Sequence, residues 1–477
     1  MKQLKSFSIL ISFFALIATL EVNAQTKADN NTLTWSTGTG SYTGQTYTNS
    51  TSDANCVKVS GGSLTLTNCT FTKTGDTSDS DGSSFYGTNS ALLGTGGTFN
   101  ISGGTITTNA KGANGIVCYG GTVNVSNMTI NCTANLSRGI HTTGGGTLVA
   151  KHLTITTAGN NSSVIALDKG GGTETVTGGT YTCTGSDCAV LYSTGNLTVD
   201  SITGSSAKGE IGVIEGSNYI NINNSDITSG AGSSSRAMMI LQSGSGDAGT
   251  GKHGYINVFR GKLTSTGTET PFIEIVSNCT GTLTLDSVET SIASGILMKV
   301  DYNTRWSTSG ATGQLILSGS GTTYTGSILV DSYSAAEVTV NKGVIWKGAY
   351  DTTNSGKSTT LTNMGTWTLT ADSYVDKIVN NGVINKNGHT LTYSSLTGNA
   401  PIDNATAIEK IENMNLWSAD GAIHIYTPAA ARTYIVNMMG QVVRTMNVSS
   451  GETTISGLPA GLYIVSAGNT TKKVIVK

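Results

Sequence analysis

The sequence is 477 residues long, only 12% of its residues are charged, and its formal net charge is −2 at pH 7. This balance gives no sign of a nucleic-acid-binding surface or of a basic patch for anionic membranes. Glycine occurs 62 times and proline only 4 times, and the many threonines alternate with regularly spaced aliphatic residues. A disordered Gly/Ser chain lacks that spacing, so the composition favours an all-β fold.

The first 24 residues have the organisation of a signal peptide. Lys2 and Lys5 precede an apolar run that ends at Leu20, and Val22-Asn23-Ala24 gives the small-x-Ala cleavage pattern. No later run is apolar for long enough to span a membrane. We therefore expect a mature chain that starts near residue 25 and is secreted or displayed at the cell surface, with the periplasm as the alternative location.

An internal repeat dominates the next 340 or so positions. Its clearest copies share one strand-like template and its later copies are weaker; the copies begin at Ser63, Thr98, Thr122, Thr147, Thr173, Asn196, Tyr219, Tyr255, Thr282, Gln314 and Glu337. The starts at 98, 122, 147 and 173 differ by 24, 25 and 26 residues. Larger differences elsewhere indicate loop insertions.

A unit of about 25 residues cannot bury its own apolar face, whereas stacked units can. Val123 and Val125 alternate with polar residues, and a second short strand precedes each copy, so we predict three short strands per coil. Asn68, Gly103 and Asn127 fall between the first two strands, where Asn and Gly can adopt a left-handed conformation at a low energetic cost. An antiparallel β-sandwich is the alternative, but its hairpins would not repeat stepwise. The prediction is a parallel β-helix over residues 25–398, with capping coils.

This pattern resembles the right-handed parallel β-helix proteins, the fold of pectate lyases and autotransporter passengers. The last coils carry the specific features, which are a Trp-x-Gly at Trp346 and an Asn-x-Gly-Thr-Trp at Asn363. These features resemble the closing coils of autotransporter adhesins. The sequence departs from that family because no barrel of amphipathic strands follows.

The pattern changes after residue 398. We predict a linker at 399–406 and a small β-sandwich at 407–477, with Tyr463, Ile464 and Val474 in its core. Its motif resembles the C-terminal sorting domains of Bacteroidetes secreted proteins and lies on Asn437, Gly440, Gln441, Leu458, Pro459, Gly461, Tyr463, Ile464, Lys472, Lys473 and Lys477. The resemblance implies the type IX secretion machinery as a partner. The alternative is an adhesive or stalk module.

Several residues suggest chemistry without establishing it. Aligning the glycine loops places His141 beside Asp168 on adjacent coils, near Arg138 and the pair Lys151-His152, an arrangement that could transfer protons on a polysaccharide. β-Helix lyases, however, use several calcium-binding acids with an Arg or Lys base, and no such cluster is present. We therefore predict a solvated ladder and no catalytic residue.

Other signals have simple structural explanations. Asp76, Asp79 and Asp81 only partly match a calcium loop, so we predict a solvated acidic loop and no metal or cofactor. Of the seven cysteines, Cys183 and Cys188 could form a disulfide, or all seven could be small buried apolar residues.

Threonine rows that include Thr105, Thr107, Thr129, Thr154 and Thr156 could face ice or a glycan, although threonine is also what outward strand positions prefer. Two functions remain. One is an adhesin-like surface protein that contacts a glycan or another cell, and the other is a polysaccharide-active enzyme with a degenerate site. Aromatic residues clustered on one face would favour the first, and a buried cleft with several carboxylates would favour the second.

Overall fold

The computed structural model describes residues 30–230, 236–243, 247–276, 278–303, 309–400, 402–403, 414–428, 430–467 and 470–477. The predicted signal peptide at 1–24 lies outside these residues, as does part of the predicted linker. The chain divides into two compact units, one up to residue 384 with 389–402, and one from 385–388 with 403–477. The predicted limits at 398 and 407 stay predictions, because 404–413 are not described.

The first unit is built from three sheets. Sheet A contains twelve strands: Leu33–Trp35, Val57–Val59, Leu92–Gly94, Ile116–Tyr119, Ile140–Thr143, Ile165–Leu167, Leu191–Ser193, Gly212–Glu215, Met238–Leu241, Ile273–Val276, Ile296–Asp301 and Ser327–Val330. Sheet C contains five strands: Thr323–Thr325, Ile345–Lys347, Thr366–Thr368, Val383–Asn385 and Ile402–Asp403.

Sheet B is the largest. Its nineteen strands are Thr39–Thr43, Thr46–Asn49, Ser63–Lys73, Thr98–Thr108, Thr122–Ser126, Thr129–Cys132, Gly146–Thr157, Gly172–Ser186, Asn196–Asp200, Thr203–Lys208, Tyr219–Ser229, His253–Ser265, Thr280–Asp286, Glu289–Ile292, Thr312–Ser318, Ala335–Val340, Ser358–Asn363, Ser373–Asn380 and Leu391–Thr397.

Neighbouring coils pair in parallel and in register, so the predicted parallel β-helix is confirmed. Thr129, for example, pairs with Thr105 on the preceding coil and with Thr154 on the following coil. The apolar side chains point inward, as at Val123 and Val125, which are 0% and 2% exposed. One continuous core of such residues extends from Leu33 to Ile384. Stacking therefore supplies the burial that a single coil lacks.

In the coils from Asn68 to Ser287, a residue in the left-handed conformation lies at the bend of sheet B. The predicted corner residues Asn68, Gly103 and Asn127 have φ values of 52°, 66° and 54°. Residues at the same register position on later coils also have positive φ; they are His152, Gly178, Ser201, Asn224, Arg260 and Ser287. In several coils the two predicted strands form one bent strand, as in Ser63–Lys73.

The predicted acidic loop contains a short helix, Ser80–Tyr86. Asp79 caps its N-terminus, since Oδ1 of Asp79 accepts a hydrogen bond from the backbone N–H of Gly82 at 2.9 Å. Asp76 accepts one from the backbone N–H of Lys111 at 2.8 Å. Asp79 therefore fixes the start of the helix, and Asp76 connects the acidic loop to the backbone at Lys111.

The second unit consists of antiparallel strands, as predicted for a small sandwich. One sheet contains Asn415–Ala419, Ala422–Thr427 and Gly451–Ile455, and the other contains Ala431–Asn437, Val442–Val448, Gly461–Ala467 and Thr470–Val476.

Strand alternation decides which residues of this unit form its core. Tyr463 and Val474 are in the core, being 6% and 7% exposed. The prediction for Ile464 was wrong: side chains alternate along a strand, so Ile464 lies on the opposite face from Tyr463 and is only half-buried.

Candidate functional site

The predicted neighbours His141 and Asp168 are not side by side. Strand pairing places Ala166, not Asp168, beside His141. The same coils also pair Gly146 with Gly172, so five positions separate the paired residues on one coil (141 to 146) and six on the next (166 to 172). Matching Gly146 with Gly172 would by itself place Leu167 beside His141, and the extra residue in the second glycine loop moves the pairing one position further, to Ala166. Asp168 therefore lies two positions beyond the residue that pairs with His141.

His141 lies on sheet A and is fully buried, and neither ring nitrogen has a hydrogen-bond partner among the described residues. The predicted solvated ladder was therefore wrong. Burial, together with the charge of Arg138, holds the pKa of His141 well below its usual value. The predicted neighbours Lys151 and His152 lie on sheet B instead. The structure therefore does not assemble the proton-transfer group that the sequence suggested.

Asp168 pairs with Arg138 at 2.8 Å. Arg138 also donates a hydrogen bond to the backbone carbonyl of Ser84 in the helical insertion, at 3.3 Å, and Nζ of Lys169 lies 4.6 Å from the ring centroid of Phe85. Asp168 is only 4% exposed, and burial raises its pKa although Arg138 opposes the shift. This ion pair holds the insertion against sheet A.

A second buried carboxylate, Glu215, is likewise occupied by neighbours. It accepts hydrogen bonds from the hydroxyl of Tyr192 at 3.0 Å and from Ser243 at 2.7 Å. Burial raises the pKa of both Glu215 and Tyr192. Asp168 and Glu215 are thus both buried, and their carboxylates are bound by neighbouring side chains of the protein.

The disulfide alternative for Cys183 and Cys188 was wrong. All seven cysteines are free and buried, and the thiol of Cys183 donates to the carbonyl oxygen of Cys188 at 3.1 Å. Burial raises the pKa of Cys183 to about 12. The thiols thus behave as small core residues.

The outer surface of sheet B carries a ladder of residues that are polar except for Val149. One row runs in register through nine coils: Thr65, Asn100, Asn124, Val149, Thr175, Thr198, Asn221, Asn257 and Thr284. At its first end is a groove with a volume of about 330 Å³, lined by residues that include Asn100, Asn124 and Lys151. The amide of Asn124 donates to Oδ1 of Asn100 at 2.9 Å.

Four coils beyond Asn124, about 19 Å away at about 4.8 Å per coil, the same surface becomes aromatic. We call Tyr219, His253, Tyr255 and Phe259 the aromatic platform. Tyr219 and Tyr255 are in register on adjacent coils, and Tyr219, Tyr255 and Phe259 are 37%, 38% and 40% exposed. The ring of His253 stacks on that of Tyr255, with centroids 4.2 Å apart.

Polar groups of defined orientation accompany the aromatic platform. The amide of Asn257 donates to Oδ1 of Asn221 at 3.0 Å, and the amide of Asn221 donates to the hydroxyl of Thr198 at 3.3 Å. His253 Nε2 lies 2.9 Å from the hydroxyl of Thr282. An apolar ring surface beside fixed amides can pack against the C–H face of a sugar and hydrogen-bond its hydroxyl groups.

The sequence contains a signal for this site that the repeat analysis missed. Both aromatic coils begin with nearly the same tetrapeptide, Tyr219-Ile220-Asn221-Ile222 and Tyr255-Ile256-Asn257-Val258. Tyrosine and asparagine at equivalent positions of two copies must line up once the coils stack. The repeat already gave Tyr219 and Tyr255 as equivalent starts, but the tyrosine and asparagine that the two copies share were not recognised as a candidate site.

The threonine rows are also in register. Thr105, Thr129, Thr154 and Thr180 follow one another on successive coils, and each is exposed. The row ends at Asp226 and Lys262. That it faces ice or a glycan stays a prediction.

The sorting-type motif forms a hairpin in the second unit. Gly440 has φ 78°, and the side chain of Asn437 accepts hydrogen bonds from the backbone N–H groups of Met439 and Gln441, each at 3.0 Å. The Asn437 amide also donates to the Gln441 side chain at 3.1 Å. This part of the motif therefore specifies a turn.

The remaining motif residues frame the strands that end the second unit. Leu458 packs against the core, and the hydroxyl of Tyr463 donates to the carbonyl oxygen of Pro459 at 2.8 Å. Gly461 starts the strand that pairs with the terminal strand, while Lys473 and Lys477 are exposed. Their role in export stays a prediction.

This unit also exposes apolar side chains that the sequence analysis did not single out. Met438 and Met439 at the hairpin tip are 67% and 78% exposed, and Val442 and Ile475 are 57% and 58% exposed. Exposed apolar residues grouped in this way are typical of interaction surfaces.

The residues that the structure describes contain no group of three or more His, Cys, Asp or Glu side chains able to hold a metal ion. Within the same residues, no helix has the length and apolar character needed to cross a membrane.

A family model for a domain of unknown function (DUF6383) matches residues 401–476. The match falls on the second unit and leaves out the solenoid. No curated protein and no solved structure matches the chain.

Proposed function

We propose that this protein is an exported cell-surface protein whose β-helix binds glycans through the outer surface of sheet B. The observation that carries the proposal is the aromatic platform, in which Tyr219 and Tyr255 lie in register and are exposed beside Asn221 and Asn257. Tyrosine rings contribute apolar contact area at a low entropic cost, and the amides are already oriented by hydrogen bonds.

The groove near Asn124 lies on the same ladder about 19 Å from Asn221, by the spacing of parallel coils. An extended oligosaccharide that follows the ladder would contact both places. A solenoid suits such a ligand, because stacked coils present a long surface with a regular repeat. The polysaccharide-active enzyme remains the alternative function, and the same ligands in a cleavage assay would detect it.

The test is a glycan-panel screen of the full chain and of the variant Tyr219→Ala/Tyr255→Ala. We expect the wild type to bind a subset of glycans and the double variant to lose at least tenfold in affinity for them. Tyr393→Ala is the matched control, because Tyr393 is a similarly exposed tyrosine (43%) on the last strand of sheet B. Equal binding by all three proteins, or none by the wild type, would overturn the proposal.

We propose further that the second unit assists export, with the secretion machinery as its partner. Two features support this role: the turn and strand motif around Gly440 and Tyr463, and the exposed apolar residues at Met438 and Met439. A sorting domain must be recognised by another protein, and exposed apolar side chains supply the contact area that such recognition needs.

A further inference from the structure

We infer that the ligand of the aromatic platform is a glycan whose terminal sugar carries a carboxylate, and that Arg260 binds this group. The inference rests on the proposed glycan-binding function and names its ligand class. It is carried by three features of Arg260, which are its stacking on Phe259, its lack of an ion pair and its backbone conformation.

The guanidinium of Arg260 lies over the ring of Phe259, with Cζ 4.6 Å from the ring centroid. Stacking uses the face of the guanidinium and leaves the N–H groups at its edge free to donate. Among the described residues, no carboxylate lies within ion-pair distance of Arg260, whereas nearby Lys262 is neutralised by Glu289. Arg260 therefore presents an oriented fork of donors, the geometry that binds a planar carboxylate with two hydrogen bonds.

Arg260 also occupies the bend position of its coil in a left-handed conformation, with φ 58°. At this position the neighbouring coils have Asn224 and Ser287, and earlier coils have mainly Asn and Gly. A long side chain without local hydrogen bonds gains nothing from this conformation, which costs on the order of 1 kcal/mol. The bend position is left-handed on the neighbouring coils as well, so the fold sets this conformation, and its consequence is that the side chain of Arg260 leaves the strand at the end of the aromatic platform, over Phe259.

The position of Arg260 selects a terminal carboxylate over a polyanionic chain. Along the strand, Tyr255, Asn257 and Phe259 extend over about 13 Å at about 3.3 Å per residue, and the chain bends away at Arg260. The groups between the aromatic rings are neutral amides, and Asp286 lies in register with Phe259 on the next coil. Asp286 disfavours further negative charge beside the rings, so a carboxylate on every sugar would be repelled, whereas a single carboxylate requires only Arg260 to neutralise it.

The experiment measures affinities of the full chain for pairs of oligosaccharides that share a core and differ in a terminal sialic acid. Each sialylated member is also tested as its methyl ester, and oligogalacturonate and sulfated oligosaccharides serve as polyanionic and non-carboxylate probes. The variants are Arg260→Gln and Arg260→Lys. Arg432→Gln is the matched control, because Arg432 likewise lies over an aromatic ring, that of Tyr434, at 5.6 Å.

We expect sialylated members to bind at least tenfold more tightly than their neutral partners, and esterification to abolish the difference. Arg260→Gln should remove the preference, so that the sialylated and neutral members of each pair bind with the same affinity. Arg260→Lys should keep only part of the preference, because an ammonium cannot form the bidentate contact, and Arg432→Gln should behave as the wild type.

Neutral members that bind as well as sialylated ones, with both lost in Tyr219→Ala/Tyr255→Ala, would overturn the role of Arg260 and leave the proposed function standing. Tighter binding of oligogalacturonate, or equal binding of sulfated probes, would overturn the terminal carboxylate. Absence of binding to every member of the panel would overturn both proposals.

Discussion

Thr142 on sheet A donates a hydrogen bond to Oε2 of Glu174 on sheet B, 2.9 Å away across the interior of the solenoid. Both residues are fully buried, and Oε1 of Glu174 has no hydrogen-bond partner in the part of the chain that the structure describes. Burial raises the pKa of Glu174 from 4.5 to about 8. At neutral pH the core therefore contains a protonated carboxyl group.

This pair predicts an unusual dependence of stability on pH. Between pH 4.5 and about 8 the folded state retains a proton on Glu174 that the unfolded state has lost. Stability from this group is complete below pH 4.5 and is lost as pH rises, by up to about 1.4 kcal/mol per unit. Glu174→Gln should remove this slope, so its stability relative to the wild type should increase from pH 5 to pH 8 in urea unfolding. Glu337→Gln, at an exposed position, should retain the wild-type slope, and an unchanged slope in Glu174→Gln would contradict the expectation.

The last coils depend on an aromatic stack. Trp346 and Trp367 lie with ring centroids 5.0 Å apart, both fully buried, and their indole N–H groups donate to the carbonyl oxygens of Gly326 and Gly348. Trp367→Ala should cost about 3–5 kcal/mol, because it leaves a cavity and an unpaired carbonyl. Hydrogen exchange should accelerate in residues 323–385, with the first coils unaffected. Trp417→Ala, at an exposed position of the second unit, is the control and should leave that exchange unchanged. Unchanged exchange in Trp367→Ala would show that the stack contributes little to stability.

The Arg138–Asp168 pair should be structural. Asp168→Ala leaves a buried guanidinium without its carboxylate, which should cost about 3 kcal/mol and increase protease cleavage within the helical insertion, residues 80–86. Asp372→Ala, at an exposed position, is the control. An Asp168→Ala protein as stable and as resistant as the wild type would show that the pair does not hold the insertion.

We expect no glycan cleavage by the purified protein. If cleavage is detected, the double variant His141→Ala/Asp168→Ala should not reduce it beyond the loss that unfolding explains. The reason is that the strand register separates these two side chains. A large loss of rate in a variant with the wild-type circular dichroism spectrum would show instead that they act in catalysis.

Deleting residues 451–477 should leave the β-helix folded and retain the protein in the periplasm. These residues supply three strands of the second unit, including the pair Gly461–Ala467 and Thr470–Val476, so the proposed sorting domain cannot fold. Surface labelling and fractionation measure the outcome. Met438→Ser/Met439→Ser is the finer variant, since it changes only the exposed tip and should also lower surface display. Normal surface amounts of the deletion protein would indicate an adhesive or structural module.

The sequence alone determined the architecture, for a physical reason. A parallel solenoid repeats one environment at each coil, so successive copies place apolar residues inward and, from Asn68 to Ser287, a left-handed residue at the bend. Val123, Val125 and Asn127 show this pattern within a single copy. Local constraints that recur along the chain are readable without tertiary information. The same holds for the turn at Gly440, which Asn437 closes through contacts only a few residues away.

What only the tertiary structure decided is which side chains meet between coils. Register depends on the length of every loop, and it places Ala166 beside His141, two positions before Asp168. It also brings the amides of Asn221 and Asn257 within hydrogen-bond distance of each other beside the tyrosines. Among the described residues, it places no carboxylate within ion-pair distance of Arg260, whose guanidinium lies over Phe259. Pairing between coils is a long-range property fixed by hydrogen bonds of the whole stack, and for that reason the candidate site emerged only from the folded chain.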